Sequence, residues 1–198
     1  MKQNMQQPYM VYKNISDDFI VLVWKFSHTF NALSNPQKSE VYKSFLKNEL
    51  IKITNNSDVE MYYERNKPYI KDHIYKSISI SHTKNFLAVQ LHKQDIAGID
   101  IETSRPQLLK IQHKFLNEQE MNKARNDTNL LCCFWTAKEA SFKIFGTENI
   151  SLKNNINIDI GQYPCLQSKI IIHSQIHQFT LYSQKHNELT ITYVVKKD

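Results

Sequence analysis

Four side chains in two short runs have the types and spacing to do chemistry. The run Gly98-Ile99-Asp100-Ile101-Glu102 alternates apolar and acidic residues and predicts a strand. A strand puts Asp100 and Glu102 on one face, about 7 Å apart. The run Trp135-Thr136-Ala137-Lys138-Glu139-Ala140-Ser141-Phe142-Lys143 predicts a helix, with Glu139 and Lys143 one turn apart on one stripe. Three carboxylates gathered in water-poor space demand a cation. Hard oxygen ligands of this kind suit Mg²⁺, which keeps some waters and commonly takes phosphate oxygens from a substrate. A lysine beside them suits charge developing on a phosphate leaving group. The chemistry these residues imply is Mg²⁺-assisted reaction at a phosphate ester.

Plainer readings exist for the same residues. An isolated Asp-x-Glu is often the solvated face of an edge strand, and Glu139 with Lys143 is an ordinary helix-surface pair. Against the first stands the apolar character of Ile96, Ile99 and Ile101, which argues that the strand is buried.

Other elements must hold these two runs in place. The strand is expected over 96–102. Ser104-Arg105-Pro106 follows, then helices over 108–115 and 118–124 and a long helix over 130–145, stopped by Gly146. Strands are expected at 156–160, 169–173, 177–183 and 189–196. The first half opens with a strand over 19–26. A helix begins at Ser34-Asn35-Pro36, carries Val41, Phe45, Leu46, Leu50 and Ile53 at helical spacing, and ends at 55–58. Strands follow at 59–63, 78–81 and 86–91, with Thr83-Lys84-Asn85 as a tight turn between the last two. Strand, helix and antiparallel strands thus recur in each half, and the expected division is 1–93 and 94–198.

Composition bounds the function class. Of 198 residues, 41% are hydrophobic and 11% aromatic, with only 3 Gly and 5 Pro, which fits a folded globular chain and excludes collagen-like or flexible-linker types. No apolar run approaches the roughly 20 residues of a membrane span. Residues 1–12 are polar and do not read as a signal peptide. Cys132, Cys133 and Cys165 lack metal-ligand spacing, so reduced thiols in a cytoplasm are expected. The net charge of +6 suits a polyanionic partner, but the Lys and Arg residues are dispersed rather than clustered as in a nucleic-acid tail. No P-loop, dinucleotide glycine fingerprint, Gly-x-Ser-x-Gly elbow or His-Glu-x-x-His motif is present.

Two more runs give these features an order. Ser77-Ile78-Ser79-Ile80-Ser81-His82-Thr83 alternates as a strand ending at Ser81-His82, and Asn66-Lys67-Pro68-Tyr69 lies upstream. Lys-Pro, then Ser-His-Thr, then Gly-Ile-Asp-Ile-Glu, then Trp-Thr-Ala-Lys-Glu-Ala with a later Lys resembles the 4′-phosphopantetheinyl transferase superfamily. The likeness is to its longer, single-chain, surfactin-synthetase-activating type, over most of residues 34–160. Each motif alone is weak, and the order of all four carries the likeness.

The resemblance implies an α+β protein made of two similar α/β subdomains with pseudo-twofold symmetry and the active site at their interface. It implies Mg²⁺-dependent (Mn²⁺ possible) transfer of the 4′-phosphopantetheine group from coenzyme A to a serine of an apo acyl or peptidyl carrier protein, releasing adenosine 3′,5′-bisphosphate. Fatty-acid, polyketide and nonribosomal-peptide carriers all fit. It places Asp100, Glu102 and Glu139 on the metal. Glu139 and Lys143 are the catalytic pair, and Lys143 also meets the coenzyme A phosphates. Lys67, Pro68, Ser81, His82, Lys138, Lys43 and Ser44 match coenzyme A contacts. Asn66 replaces the glycine usual before Lys-Pro, and His28 and Asn31 stand where some members carry lysines. Residues 115–121, with Glu120, match a stretch whose adjoining apolar surface receives the carrier helix. Two subdomains in one chain imply a monomer. Two readings of other classes remain: a non-catalytic module binding coenzyme A or a carrier protein, and a basic nucleic-acid-binding protein. Lys138 as a solvated lysine, Trp135 as a core residue and His82 as a structural histidine are the plain readings of those positions.

Overall fold

The run Phe-Ile-Val-Leu-Val-Trp has no polar face, and it forms a strand whose first six side chains are all buried. Such a strand belongs inside a sheet rather than at its edge. The computed structural model, which describes residues 7–146 and 149–198, places it there. The chain divides into two units, Met1–Asp95 and Ile96–Asp198.

In the first unit, β1 (Tyr9–Ile15), β2 (Phe19–Lys25), β5 (Ser77–Thr83) and β6 (Phe86–His92) form an antiparallel sheet in the order β1-β2-β6-β5. Helix α1 (Asn35–Thr54) begins where Gln37 accepts the Ser34 N–H at 2.9 Å, and it ends at Asn55 in the left-handed region. Tyr42, Leu46 and Leu50 of α1 join Ile20, Leu22, Trp24 and Phe26 in one core. Trp24 meets Phe45 edge to face at 5.3 Å. A separate hairpin, β3 (Glu60–Glu64) with β4 (Lys67–Lys71), closes through Arg65 and Asn66, both at positive φ. That is the two-residue turn whose twist suits a hairpin. The Lys67-Pro68 segment is therefore the start of a strand. The position usually held by glycine is left-handed at φ 68°, which asparagine tolerates better than most residues.

In the second unit, β7 (Ile99–Thr103), β8 (Ile156–Asp159), β9 (Cys165–Ile172), β10 (Gln175–His186) and β11 (Leu189–Lys197) form one antiparallel sheet in the order β7-β11-β10-β9-β8. Helices α2 (Gln107–Phe115), α3 (Glu118–Ala124) and α4 (Thr128–Phe145) intervene between β7 and β8. Asp127 caps α4 by accepting the N–H groups of Asn129 and Leu130, and Gly146 ends it at φ 60°. Leu131, Phe134, Ala137 and Ile144 of α4 pack with Ile156, Leu166, Ile170 and Leu181 of the sheet.

One expected boundary needs correction, and two elements were not expected. The strand expected from residue 96 starts at Ile99, because the chain before it runs against the backbone of α4 at Gly98. Strand β1 and the 3₁₀ turn at His28–Ala32 carry no clear pattern in the sequence. β1 is mostly exposed and has a register shift between Met10 and Tyr12, so it lacks the apolar alternation that marks a half-buried strand. Among the described residues, no helix is long and apolar enough to cross a membrane.

Candidate active site

Strand periodicity puts Asp100 and Glu102 on the same face of β7, and both side chains are buried. Asp100 pairs in register with Thr192 of β11 and Glu102 with Thr190, so each carboxylate stands beside a threonine. Thr192 shares its hydroxyl with Thr136 of α4 at 2.7 Å and with Ser183 of β10 at 2.8 Å. This buried hydroxyl bridge ties α4 to the strand beside β7. Gly98 sets the approach of the chain entering β7. A Cβ there would lie 2.2 Å from the Ala140 carbonyl oxygen, so only glycine lets the chain lie this close to α4.

With that spacing, Lys143 in the last turn of α4 reaches β7. Its Nζ donates to Asp100 Oδ1 at 2.8 Å and to the Ile99 carbonyl at 2.9 Å. The C-terminal end of a helix favours a cation at this position. Glu139 lies one turn earlier. Its carboxyl is pushed up from 4.5 to about 7, first by burial and then by the negative charge of Asp100, with Lys143 pulling the other way. The upward effects win, so the Lys143 ammonium does not offset the crowding of two carboxylates. Glu102 is engaged differently. It accepts the Thr103 N–H at 2.8 Å and meets the Arg105 guanidinium at 2.9 Å. Below it, Cys132 Sγ lies 3.7 Å from the Glu102 carbonyl oxygen, and burial lifts its thiol to about 11, which keeps it protonated and unreactive.

Among the described residues, no three His, Cys, Asp or Glu side chains form a ready metal cage. The chemistry of the donors nevertheless fits Mg²⁺. That ion uses one or two carboxylates and completes its shell with water and phosphate oxygens. Asp100 and Glu139 are hard oxygen donors from facing elements, and their mutual repulsion is what a divalent ion would relieve. Glu102 is less available, since Arg105 already holds one of its oxygens. Arg105 was invisible in the sequence as a partner: three residues apart is no contact spacing along a strand, and only the turn after β7 brings it back.

Lys138 is not where a phosphate can reach it. Its side chain has no exposed surface, and its ammonium donates to the Leu152 and Ile156 carbonyls at 2.8 and 2.6 Å and pairs with Glu120 at 2.7 Å. Both the coenzyme A contact and the solvated lysine expected there are overturned, because all three ammonium donors are spent inside the core. Glu120, expected only as part of a matched stretch, proves to be a hub. It accepts the Asn117 and Ile158 N–H groups as well as Lys138. Trp135 meets Phe115 edge to face at 5.1 Å, as a core residue does.

The remaining candidates lie in the first unit. Lys67 lies over the Tyr69 ring at 5.4 Å, and burial pulls its ammonium down while Asp95 opposes. Pro68 follows it on β4, opposite Tyr63. Ser81 is buried on β5, and the exposed His82 stacks on Tyr42 with centroids 5.3 Å apart. Lys43 and Ser44 diverge, as adjacent helix residues do. Lys43 lies over Tyr63 at 5.9 Å, whereas Ser44 lines a groove of about 500 Å³ with Phe26, Phe30, Val41, Phe45 and Glu40. Glu40 makes that groove a poor place for an anion.

No curated protein matches the chain. A family model does, described as the 4′-phosphopantetheinyl transferase superfamily, over residues 96–194. That stretch is half of the 198 residues and holds β7, α4 and every side chain of the carboxylate cluster. The reaction common to that family is phosphopantetheinyl transfer, and the mixed α/β architecture, with four α-helices among the described residues, is compatible with its fold. By this match the chain belongs to the 4′-phosphopantetheinyl transferase superfamily.

Proposed function

We propose that the protein transfers the 4′-phosphopantetheine group of coenzyme A to a serine of an apo acyl or peptidyl carrier protein. The observation that carries this reading is the trio Asp100, Glu139 and Lys143: two mutually repelling carboxylates and a lysine on facing elements of the family-matched stretch. The serine hydroxyl of the carrier supplies the nucleophile, and adenosine 3′,5′-bisphosphate departs. Mg²⁺, when bound by Asp100 and Glu139 with help from Glu102, supplies charge neutralisation at the pyrophosphate. Lys143 brings a second positive charge to the same phosphates and steadies the leaving group. Glu139, on the face of α4 turned to Asp100, is the side chain that takes the serine proton in this reading. Lys67, Pro68, Ser81 and His82 take the nucleotide end of coenzyme A, with Lys43 and Ser44 as weaker candidates. We place the enzyme with the single-chain, surfactin-synthetase-activating type, with domains of 1–93 and 94–198, as a monomer acting in the cytoplasm, where its three free cysteines stay reduced.

Mass spectrometry of apo carrier proteins incubated with coenzyme A, Mg²⁺ and this protein tests the reading. A pantetheinylated carrier is expected, and none in excess chelator. Unmodified carrier across a panel of fatty-acid, polyketide and nonribosomal-peptide types would favour the second reading, a module that binds coenzyme A or a carrier without catalysis.

A further inference from the structure

Lys143 does two incompatible things in the reading above. Its ammonium sits on Asp100 Oδ1 at 2.8 Å, on the carboxylate proposed for the metal, and the same ammonium is wanted on the phosphates of the substrate. A divalent ion on Asp100 and a lysine on the same oxygen repel each other across a few ångströms, in a site too dry to screen them. Each therefore weakens the hold of the other on Asp100. The structure shows which can move. The Asp100 carboxylate belongs to a strand whose five residues are all buried, and its side chain is only 10% exposed. The Lys143 side chain is 25% exposed and hangs on four rotatable bonds from the last turn of α4. Its second contact is the Ile99 carbonyl, a neutral acceptor. Lys138, on the same helix, shows what an immovable lysine looks like: no exposure, one carboxylate and two carbonyls.

We propose that Lys143 is a displaceable occupant of the metal seat: it holds Asp100 while the site is without substrate and gives it up when a pyrophosphate arrives to accept the ammonium. This rests on the reading of the site as a Mg²⁺ and coenzyme A site. The exchange is non-covalent and conserves charge. Lys143 trades one anion for another, and Asp100 trades a monovalent partner for a divalent one. Metal and coenzyme A then bind as coupled ligands, each raising the affinity for the other by the same factor. The protein on its own resists Mg²⁺, so the metal enters chiefly with its substrate.

Isothermal titration of Mg²⁺ into the folded, chelator-treated protein, with and without coenzyme A, tests this without any turnover. Three proteins are compared: wild type, Lys143→Met and Lys143→Arg, each checked for its circular-dichroism spectrum and melting temperature. Without coenzyme A, Lys143→Met is expected to bind Mg²⁺ about tenfold more tightly than wild type, within the usual span of coupling between sites. Lys143→Arg is expected to bind it more weakly than wild type, since a guanidinium forks onto a carboxylate and holds it harder. Wild type recovers tight Mg²⁺ binding when coenzyme A is present, and Lys143→Met gains much less from it. Equal coenzyme-A-free affinities in all three proteins would overturn the exchange while leaving the metal seat standing. An arginine variant equal to wild type beside a tighter methionine variant would also overturn it, because general charge rather than occupancy of Asp100 would then be at work. Mg²⁺ binding to none of them, even with coenzyme A, would remove the metal seat and the exchange together.

Discussion

Helix α4 carries two lysines five residues apart, each paired with a carboxylate from another element, and they could hardly differ more. Lys138 and Glu120 are sealed in the core, with side chains 0% and 4% exposed, and every polar atom around them finds a partner. Lys143 and Asp100 sit at the rim of the carboxylate cluster, with the lysine a quarter exposed and one neutral acceptor as its second contact. Residues five apart on a helix lie about 140° apart around its axis. One lysine therefore faces α3 and β8, and the other faces β7. The difference teaches how to tell a structural ion pair from one available for chemistry. The structural pair has spent all its donors inside the protein. The other has a cation with somewhere else to go and a carboxylate that still repels its neighbour.

The sharpest way to break the comparison is to strip each pair of its lysine. Lys138→Met leaves Glu120 buried without its cation, a change that typically costs about 3–5 kcal/mol. A large drop in melting temperature is expected, and a drop of only a degree or two would mean that the pair is not sealed as described. Replacing both partners, Glu120→Gln with Lys138→Met, should recover much of the loss, because no uncompensated charge remains.

Next in size is Gly98→Ala. The new Cβ would lie 2.2 Å from the Ala140 carbonyl oxygen, and neither can swing away, because the Cβ position is set by the backbone and the oxygen is part of it. One chain has to shift, at the upper end of overpacking costs, about 3 kcal/mol. The shift also parts β7 from α4, and with them Asp100 from Lys143. Melting temperature and carrier modification should fall together. A stable variant with full transfer activity would show that the close approach is not what spaces the site.

Much of this was legible in the sequence, and what was not has a physical reason. The long helices, the central strands and the cluster of Asp100, Glu139 and Lys143 follow from periodicity, because period 2 and period 3.6 decide which side chains share a face. Lys138 was misplaced, since a lysine among alanines on a helix looks solvated until the buried Glu120, contributed by α3, is known. The role of Gly98 was hidden for a similar reason: its constraint is a carbonyl 42 positions away. The pairing of Arg105 with Glu102 depends on a turn, which no periodic pattern encodes. Asn66 went the other way. The sequence puts asparagine where glycine is usual, and φ of 68° shows a left-handed backbone that asparagine accepts.

A smaller effect separates the two sites by pH. Glu139, lifted from 4.5 to about 7, binds its proton more tightly in the folded protein than in the unfolded one. Stability from this group is therefore present below 4.5, is lost as pH rises towards 7, and is missing above it. In chelator, Glu139→Gln should gain about 2 kcal/mol over wild type at pH 8, allowing for incomplete burial. The gain should vanish below pH 4.5. Melting temperatures across that range check this, and a gain that does not change with pH would take the charge of Glu139 out of the account.

The smallest expected effect is the most telling for the pair at the rim. Lys143→Met removes a partly exposed ion pair, which is worth about 1 kcal/mol or less. The loss should show mainly above neutral pH, where Glu139 is ionised and Asp100 has lost its cation. Mg²⁺ can take the place of the missing ammonium, because the carboxylates it needs are still in position. Mg²⁺ without coenzyme A should therefore raise the melting temperature of Lys143→Met more than it raises wild type's. Lys138→Met should show no such recovery of its specific loss, since Glu120 is only 4% exposed and its two oxygens are held by the Asn117 and Ile158 N–H groups; Mg²⁺ should raise its melting temperature no more than it raises wild type's. Equal rescue of both variants would mean that the added Mg²⁺ stabilises the fold at large, and the distinction between a sealed pair and an exchangeable one would fall.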